Sequence, residues 1–222
     1  MNSNEFFTEP QKVDVIQTKH RKIITDIPPK ETCKVLKTLQ EFEPDSMQRE
    51  LPVLWDHASE YQIFDSSGNC WIDFSSGIFV SNVGHANSKV VNAIKESLEK
   101  PLLHNYYFPS TIRSKLVEKI IKMSPDYIDT VFLLTTGSEA TECALKITRI
   151  NGKKINEKKI GIISFDGSMH GKTLGALMMG GKPKEKYWVG FEDPHIYHIP
   201  FPFRETCPWK INDEHECDAS CF

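Results

Sequence analysis

The sequence has no apolar run approaching the roughly 18 residues of a membrane span, which argues against a helical membrane protein. It has no surplus of positive charge. Lys and Arg number 27 against 30 Asp and Glu, for a net charge of −3, so nothing favours nucleic acid as a partner. It has no long like-charge tail, internal repeat or low-complexity segment, which leaves a globular reading. Residues 1–10 carry neither an apolar signal core nor a small-residue cleavage site, so the expected location is cytoplasmic. What is present is ordinary: 222 residues, 39% of them hydrophobic, enough to bury the core of one domain or one and a half. Of the six cysteines, Cys33, Cys70 and Cys143 read as buried free thiols.

Hydrophobic spacing organises the chain. Residues 1–29 are polar and end at Pro28 and Pro29, which reads as an irregular arm. Val35, Leu36 and Leu39 mark a helix over 30–43, closed by Pro44. Residues 61–65 and 70–74 are strand-like, and Ser66-Ser67-Gly68-Asn69 between them predicts a hairpin turn. Helices are expected over 88–100 and 110–123. A buried-type strand is expected over 130–135, then a helix over 139–150, a solvated loop over 153–159 and a second strand over 160–165. Strand, helix, strand predicts a parallel sheet and an α/β class. Prolines at 183, 194, 200, 202 and 208 predict long loops around a short strand near 196–199.

Thr135-Thr136-Gly137-Ser138-Glu139-Ala140 carries the most chemistry. A strand ends, a glycine turns the chain and a helix opens on a serine. The first amides of a helix lack internal partners and sit at the positive end of its dipole, so a phosphate fits there. Gly137 permits close approach and Ser138 adds a hydroxyl. Glu139 suits the dipole but would repel a phosphate if it turned inward. The competing reading is an ordinary serine N-cap preceded by a glycine.

Other segments weigh on that choice. They are Asp65-Ser66-Ser67-Gly68-Asn69, Trp71-Ile72-Asp73-Phe74, Ser76-Gly77-Ile78-Phe79-Val80 and Val83-Gly84-His85. His104-Asn105-Tyr106 follows, then Thr136-Gly137-Ser138-Glu139-Ala140 with Glu142 and Lys146, and His170-Gly171-Lys172-Thr173-Leu174-Gly175. In this order and spacing the chain resembles the class III, or 4-aminobutyrate/ornithine-type, aminotransferases. The resemblance implies a partial type I pyridoxal-phosphate-dependent transferase fold: parallel-sheet large-domain elements plus an amino-terminal arm and hairpin. It implies an arm and helix over 1–60, a hairpin and small-domain or interface segment over 61–109, and the start of a truncated cofactor-binding large domain over 110–222. It assigns Gly137 and Ser138 to the phosphate of pyridoxal 5′-phosphate, and Met169 and His170 to its ring. The family has an aromatic residue where Met169 stands, and a thioether is a softer, less directional ring partner. Lys172 stands where arginine is more usual. Ile78 and Phe79 match substrate-pocket positions; from the residues alone, core packing after a strand is the alternative. Asp65 reads as a turn residue, and Asp73 and His85 receive no catalytic role.

By the same resemblance the enzyme moves an amino group from an amino acid, ω-amino acids included, to a 2-oxo acid, and works as a homodimer. The family's lysine that holds the cofactor covalently, and the aspartate that keeps the ring nitrogen protonated, lie beyond the matched segments. No lysine here has that context, so no catalytic residue is named, and these residues alone are expected to be inactive. A racemase or epimerase of the same fold, and a non-catalytic phosphate- or partner-binding paralogue, are the rival readings. Cys207, Cys217 and Cys221, with His215, lack the paired spacing of a zinc ribbon, and no metal site is assigned.

Overall fold

The structure is a computed structural model and describes residues 9–47, 51–100, 102, 104–105, 107–203, 205 and 208. Cys207, Cys217, Cys221 and His215 lie outside the described residues. The chain divides into two compact units, Met1–Phe108 and Pro109–Phe222.

The first unit is built on an antiparallel sheet of five strands in the order β1-β2-β5-β4-β3. Its centre is the expected hairpin, β4 (Gln62–Phe64) and β5 (Cys70–Ile72), in register Gln62↔Ile72, Ile63↔Trp71 and Phe64↔Cys70. Asp65 is the turn residue: its Oδ1 accepts from Ser67 N and Asn69 N, both at 2.9 Å. Gly68 takes the left-handed φ of 86° that the turn demands. Asn69 is fully buried and every polar atom of its side chain is used. It donates to Asp65 Oδ2 at 2.7 Å and Thr25 Oγ1 at 2.8 Å and accepts from Ile24 N at 2.8 Å. That last bond ties the arm to the hairpin, so the arm is not wholly irregular. It supplies β1 (Ile16–Gln17) and β2 (Lys22–Ile23), while β3 (His57–Ser59) adds the far edge. Helix α1 (Lys30–Phe42) sits over an apolar cavity of about 180 Å³ lined by Val35, Leu36, Leu39 and Leu54. After β5 comes α2 (Ser76–Phe79), a four-residue turn of the opposite hand to the other helices. Helix α3 (Ser88–Leu98) starts where Asn87 Oδ1 accepts from Lys89 N and Val90 N.

The second unit opens with α4 (Thr111–Met123), capped by the Ser110 hydroxyl on Arg113 N. Residues 130–135 do not form the expected strand. A strand exists by lateral pairing, and no described residue of this segment joins a ladder. The β-rich composition is there; the neighbour is not. The next two expectations hold. Helix α5 (Gly137–Ile155) leads to β6 (Ile162–Phe165), which pairs in parallel with β7 (Ile196–Ile199). The helix runs through Lys153 and Lys154, so the solvated loop begins later than expected. Gly152 lets its end pass under the next turn, since a Cβ there would lie 2.1 Å from the Lys159 carbonyl oxygen. Arg149 fastens the same end, with NH1 2.8 Å from Asp193 Oδ2 and Nε donating to the Ile160 carbonyl at 3.1 Å. Helix α6 (Leu174–Met179) fills the core with Ala176, Leu177, Met178 and Met179. The short α7 (Pro183–Lys186) follows.

Candidate functional site

The turn over residues 135–140 is built from both ends of a capping box. Thr136, not Ser138, is the N-cap: its Oγ1 accepts from Glu139 N at 3.2 Å. Glu139 reaches back, and its Oε2 accepts from Thr136 N at 2.9 Å and Thr135 N at 3.1 Å. This removes the serine-cap alternative and disposes of the carboxylate. Glu139 is spent on the two amides before the helix, which leaves Gly137 N and Ser138 N. Among the described residues nothing accepts from either amide. A methyl built on Gly137 would meet no atom within 4 Å. Two free donors, a helix dipole of 19 residues and open space above a glycine fit a phosphate.

The segment after β6 closes on this turn. Lys172 N donates to Ser138 Oγ at 3.3 Å, and Thr141 Oγ1 donates to the His170 carbonyl at 2.6 Å, linking residues 29 apart. Gly171 passes so near that a Cβ on it would lie 2.3 Å from Ser138 Oγ. Its φ of 128° lies in glycine territory as well. The structure thus brings the 170–172 backbone onto the turn at Ser138 and Thr141, with Met169 next to His170 in the chain. Met169 is 57% exposed, free to lie against a ring. His170 is half-buried and its Nε2 faces the buried Ser164 Oγ at 3.0 Å, while that hydroxyl also donates to the Met179 carbonyl at 2.7 Å. Its imidazole is therefore tethered to the core of its own unit. Glu142, one turn further along α5, accepts from Gly175 N at 3.0 Å and Ala176 N at 3.4 Å and so seats α6. The Thr173 hydroxyl, ahead of those amides, holds its carboxyl below the usual range.

Ile78 and Phe79 belong to the other unit. Neither is packed into the core of this unit: they are 63% and 82% exposed. They stand on a left-handed turn. Ser76, Gly77, Ile78 and Phe79 have φ of 51°, 60°, 64° and 66°, with Phe79 N and Val80 N donating to the Ser75 and Ser76 carbonyls at 2.7 and 2.9 Å. Three of these residues carry a Cβ, and each left-handed residue of that kind costs about 1–2 kcal/mol. Asp73 and His85 hold the turn. Asp73 Oδ1 accepts from Ser75 N at 2.8 Å and Ser75 Oγ at 2.6 Å; Oδ2 accepts from Gly77 N at 2.8 Å and meets His85 Nε2 at 2.7 Å. The Ser75 hydroxyl foremost, with His85 and the two amides, outweighs burial and keeps the Asp73 carboxyl far below the usual carboxylate range. No local sequence pattern joins these two residues. The only local hint is Gly77, which favours positive φ.

Among the described residues no helix is long and apolar enough to cross a membrane, and no group of three or more His, Cys, Asp or Glu could hold a metal ion.

A helix opening on free amides at a glycine, a parallel strand pair that follows it in the chain and an antiparallel hairpin that precedes it in the chain are part of a pyridoxal-phosphate-dependent transferase fold. Solved transaminase structures share it. A thermostable (S)-enantioselective ω-transaminase from Thermomicrobium roseum matches 82% of this chain and 42% of its own, with a TM-score of 0.71 at 22% identity. The taurine:2-oxoglutarate aminotransferase from Bifidobacterium kashiwanohense, solved with PLP and glutamate, matches 76% of this chain and 38% of its own, with a TM-score of 0.66 at 25% identity. The chain belongs to the class-III aminotransferase family, whose sequence pattern it matches over residues 45–221. It is 39% identical over 160 residues to a mitochondrial acetylornithine aminotransferase of Candida glabrata, covering 69% of this chain and 35% of that protein. It is 36% identical over 168 residues to an acetylornithine aminotransferase of Methanocaldococcus jannaschii, covering 74% and 41%. The matched stretch therefore covers well under half the length of each of these curated relatives.

Proposed function

We propose that this chain is the cofactor-phosphate-binding part of an aminotransferase that moves an amino group from an amino acid to a 2-oxo acid. Gly137 N, Ser138 N and the Ser138 hydroxyl hold the phosphate of pyridoxal 5′-phosphate, with Met169 against the ring and His170 beside it. The observation that carries this reading is the pair of helix-opening amides, free among the described residues and facing open space. When bound, the cofactor supplies the electron sink that amino-group transfer requires. The chain's own residues bind and orient. Glu139 keeps its charge on the Thr135 and Thr136 amides, and Thr141 and Ser138 fix the 170–172 backbone over the turn. No lysine here has the family context for holding the cofactor covalently, so these 222 residues are expected to show no turnover.

The relatives named acetylornithine aminotransferase, and the ω-transaminase structure, support an amino donor whose reacting nitrogen is remote from the α-carbon. Ile78 and Phe79 line the pocket for that substrate. An arm and helix over 1–60, a hairpin and interface segment over 61–109 and a large-domain start over 110–222, in a homodimer in the cytoplasm, complete the proposal. The test is titration of the chain with pyridoxal 5′-phosphate and, separately, with pyridoxal, followed by NMR. Shifts of the Gly137 and Ser138 amides with the phosphorylated compound alone are expected. Equal shifts with both compounds, or none with either, would sink the phosphate assignment.

A further inference from the structure

An apolar turn in a disfavoured conformation needs a reason, and Ser76–Phe79 has one in its surroundings. Ile78 is β-branched, the type least tolerant of positive φ, and Phe79 follows it with the same sign. Neither side chain is buried, so neither gains from packing what its backbone loses. Left to itself, the segment would relax to a right-handed or extended path. Strained backbone persists only where its surroundings over-determine it.

The surroundings here are one buried pair. Asp73 and His85 have side chains only 4% and 11% exposed. Asp73 takes the amides of Ser75 and Gly77 on the entry side of the turn. His85 takes the exit side, with Nδ1 3.2 Å from the Ser81 hydroxyl. With the proton on Nε2 pointing at Asp73, Nδ1 is free to accept from that hydroxyl. The pair is itself anchored to the hairpin sheet. Glu60 N donates to the His85 carbonyl at 2.9 Å, His85 N returns a bond to the Glu60 carbonyl at 2.7 Å, and Asp73 N donates to the Tyr61 carbonyl at 2.8 Å. Trp55 meets the imidazole edge-on, with centroids 5.7 Å apart.

We infer that Asp73 and His85 are positioning residues, a clamp that holds the left-handed turn and so sets how Ile78 and Phe79 face the substrate; this rests on the pocket reading given above. The clamp touches neither cofactor nor substrate. It converts hydrogen bonds inside the sheet unit into a fixed direction for two exposed apolar side chains. Selectivity for the amino donor then depends on residues that the donor never contacts.

The experiment compares Asp73→Asn, Ile78→Gly and the double variant in the 222-residue chain. Cα and Cβ chemical shifts at 78 and 79 report the sign of φ, and amide exchange reports the turn's bonds. Asp73→Asn should speed exchange at Phe79, Val80 and Ser81 by at least about tenfold. It should also move the Ile78 and Phe79 shifts off left-handed values, while the β4–β5 amides stay protected. Ile78→Gly relieves one strained residue and should raise the folding constant about threefold after the entropy of glycine is set against it. In the double variant, glycine should restore much of the protection that Asp73→Asn removes, a rescue that a merely structural aspartate would not show. Unchanged exchange at 79–81 in Asp73→Asn, or a fall in folding constant with Ile78→Gly, overturns the clamp. Should Asp73→Asn fail to fold, His85→Gln gives the same readout. The pocket reading fails separately, if Phe79→Ala in the active enzyme leaves KM for every amino donor unchanged while the clamp results hold.

Discussion

The two turns that carry the candidate residues use backbone donors in opposite ways. At Thr136–Glu139 the geometry is relaxed. The capping box satisfies the amides before the helix, and two amides are left over for something outside the chain. At Ser76–Phe79 the geometry is strained, and the donors that could serve a ligand are consumed in holding it: Ser75 N and Gly77 N go to Asp73. One turn leaves backbone donors open; the other presents side chains and uses its backbone as the fixture. A glycine appears in both, but for different reasons. Gly137 gives access, with open space where a methyl would be, whereas Gly77 gives conformation, at φ 60°.

That contrast can be broken at several points, from the largest effect down. Asp73→Ala removes a buried carboxylate and leaves the Ser75 hydroxyl, His85 Nε2 and two amides without their acceptor. The expected loss is about 3 kcal/mol, read from urea unfolding. No comparable loss is expected at the phosphate turn, which holds no buried pair. The same carboxylate should be visible in pH. Its folded pKa lies far below its unfolded value of about 4, so its contribution is complete above that value and fades as the pH falls below it. Stability of the wild-type chain should therefore decline from about pH 5 toward pH 2, and Asp73→Asn should flatten that decline in a pH series of thermal melts. At the other turn, Gly171→Ala forces a Cβ into Ser138 and is expected to cost about 2 kcal/mol. It should weaken phosphate binding along with stability. Gly137→Ala meets nothing and sits at a helix start, so a change within about 0.5 kcal/mol is expected. A large loss there would mean that the space above Gly137 is filled in solution.

Local signals in the sequence carried much of this. Asp65, Gly68 and Asn69 announce the hairpin, and the apolar spacing in 88–100 and 110–123 marks two helices to within two residues of their ends. Thr136 and Glu139 stand at capping-box spacing, a signal that could have named the N-cap correctly and settled where the glutamate points. What escaped was non-local. Val131 to Leu134 have the composition of a strand, yet strand formation depends on a neighbour that composition does not contain. The Asp73–His85 bond joins positions 12 apart through a turn whose hand no propensity predicts for isoleucine and phenylalanine. The tether of His170 to Ser164 depends on how the loop after β6 folds back, which its sequence does not state.

The passage of Gly171 across Ser138 limits how this protein can be reshaped. A side chain larger than serine at 138 would have to push the 170–172 backbone aside, and any Cβ at 171 would push back. In the proposed reading, grip on the phosphoryl group and alignment of the residues meant for the ring are therefore set by a single contact. An engineer could not tune one without retuning the other, and selection on either would be felt by both.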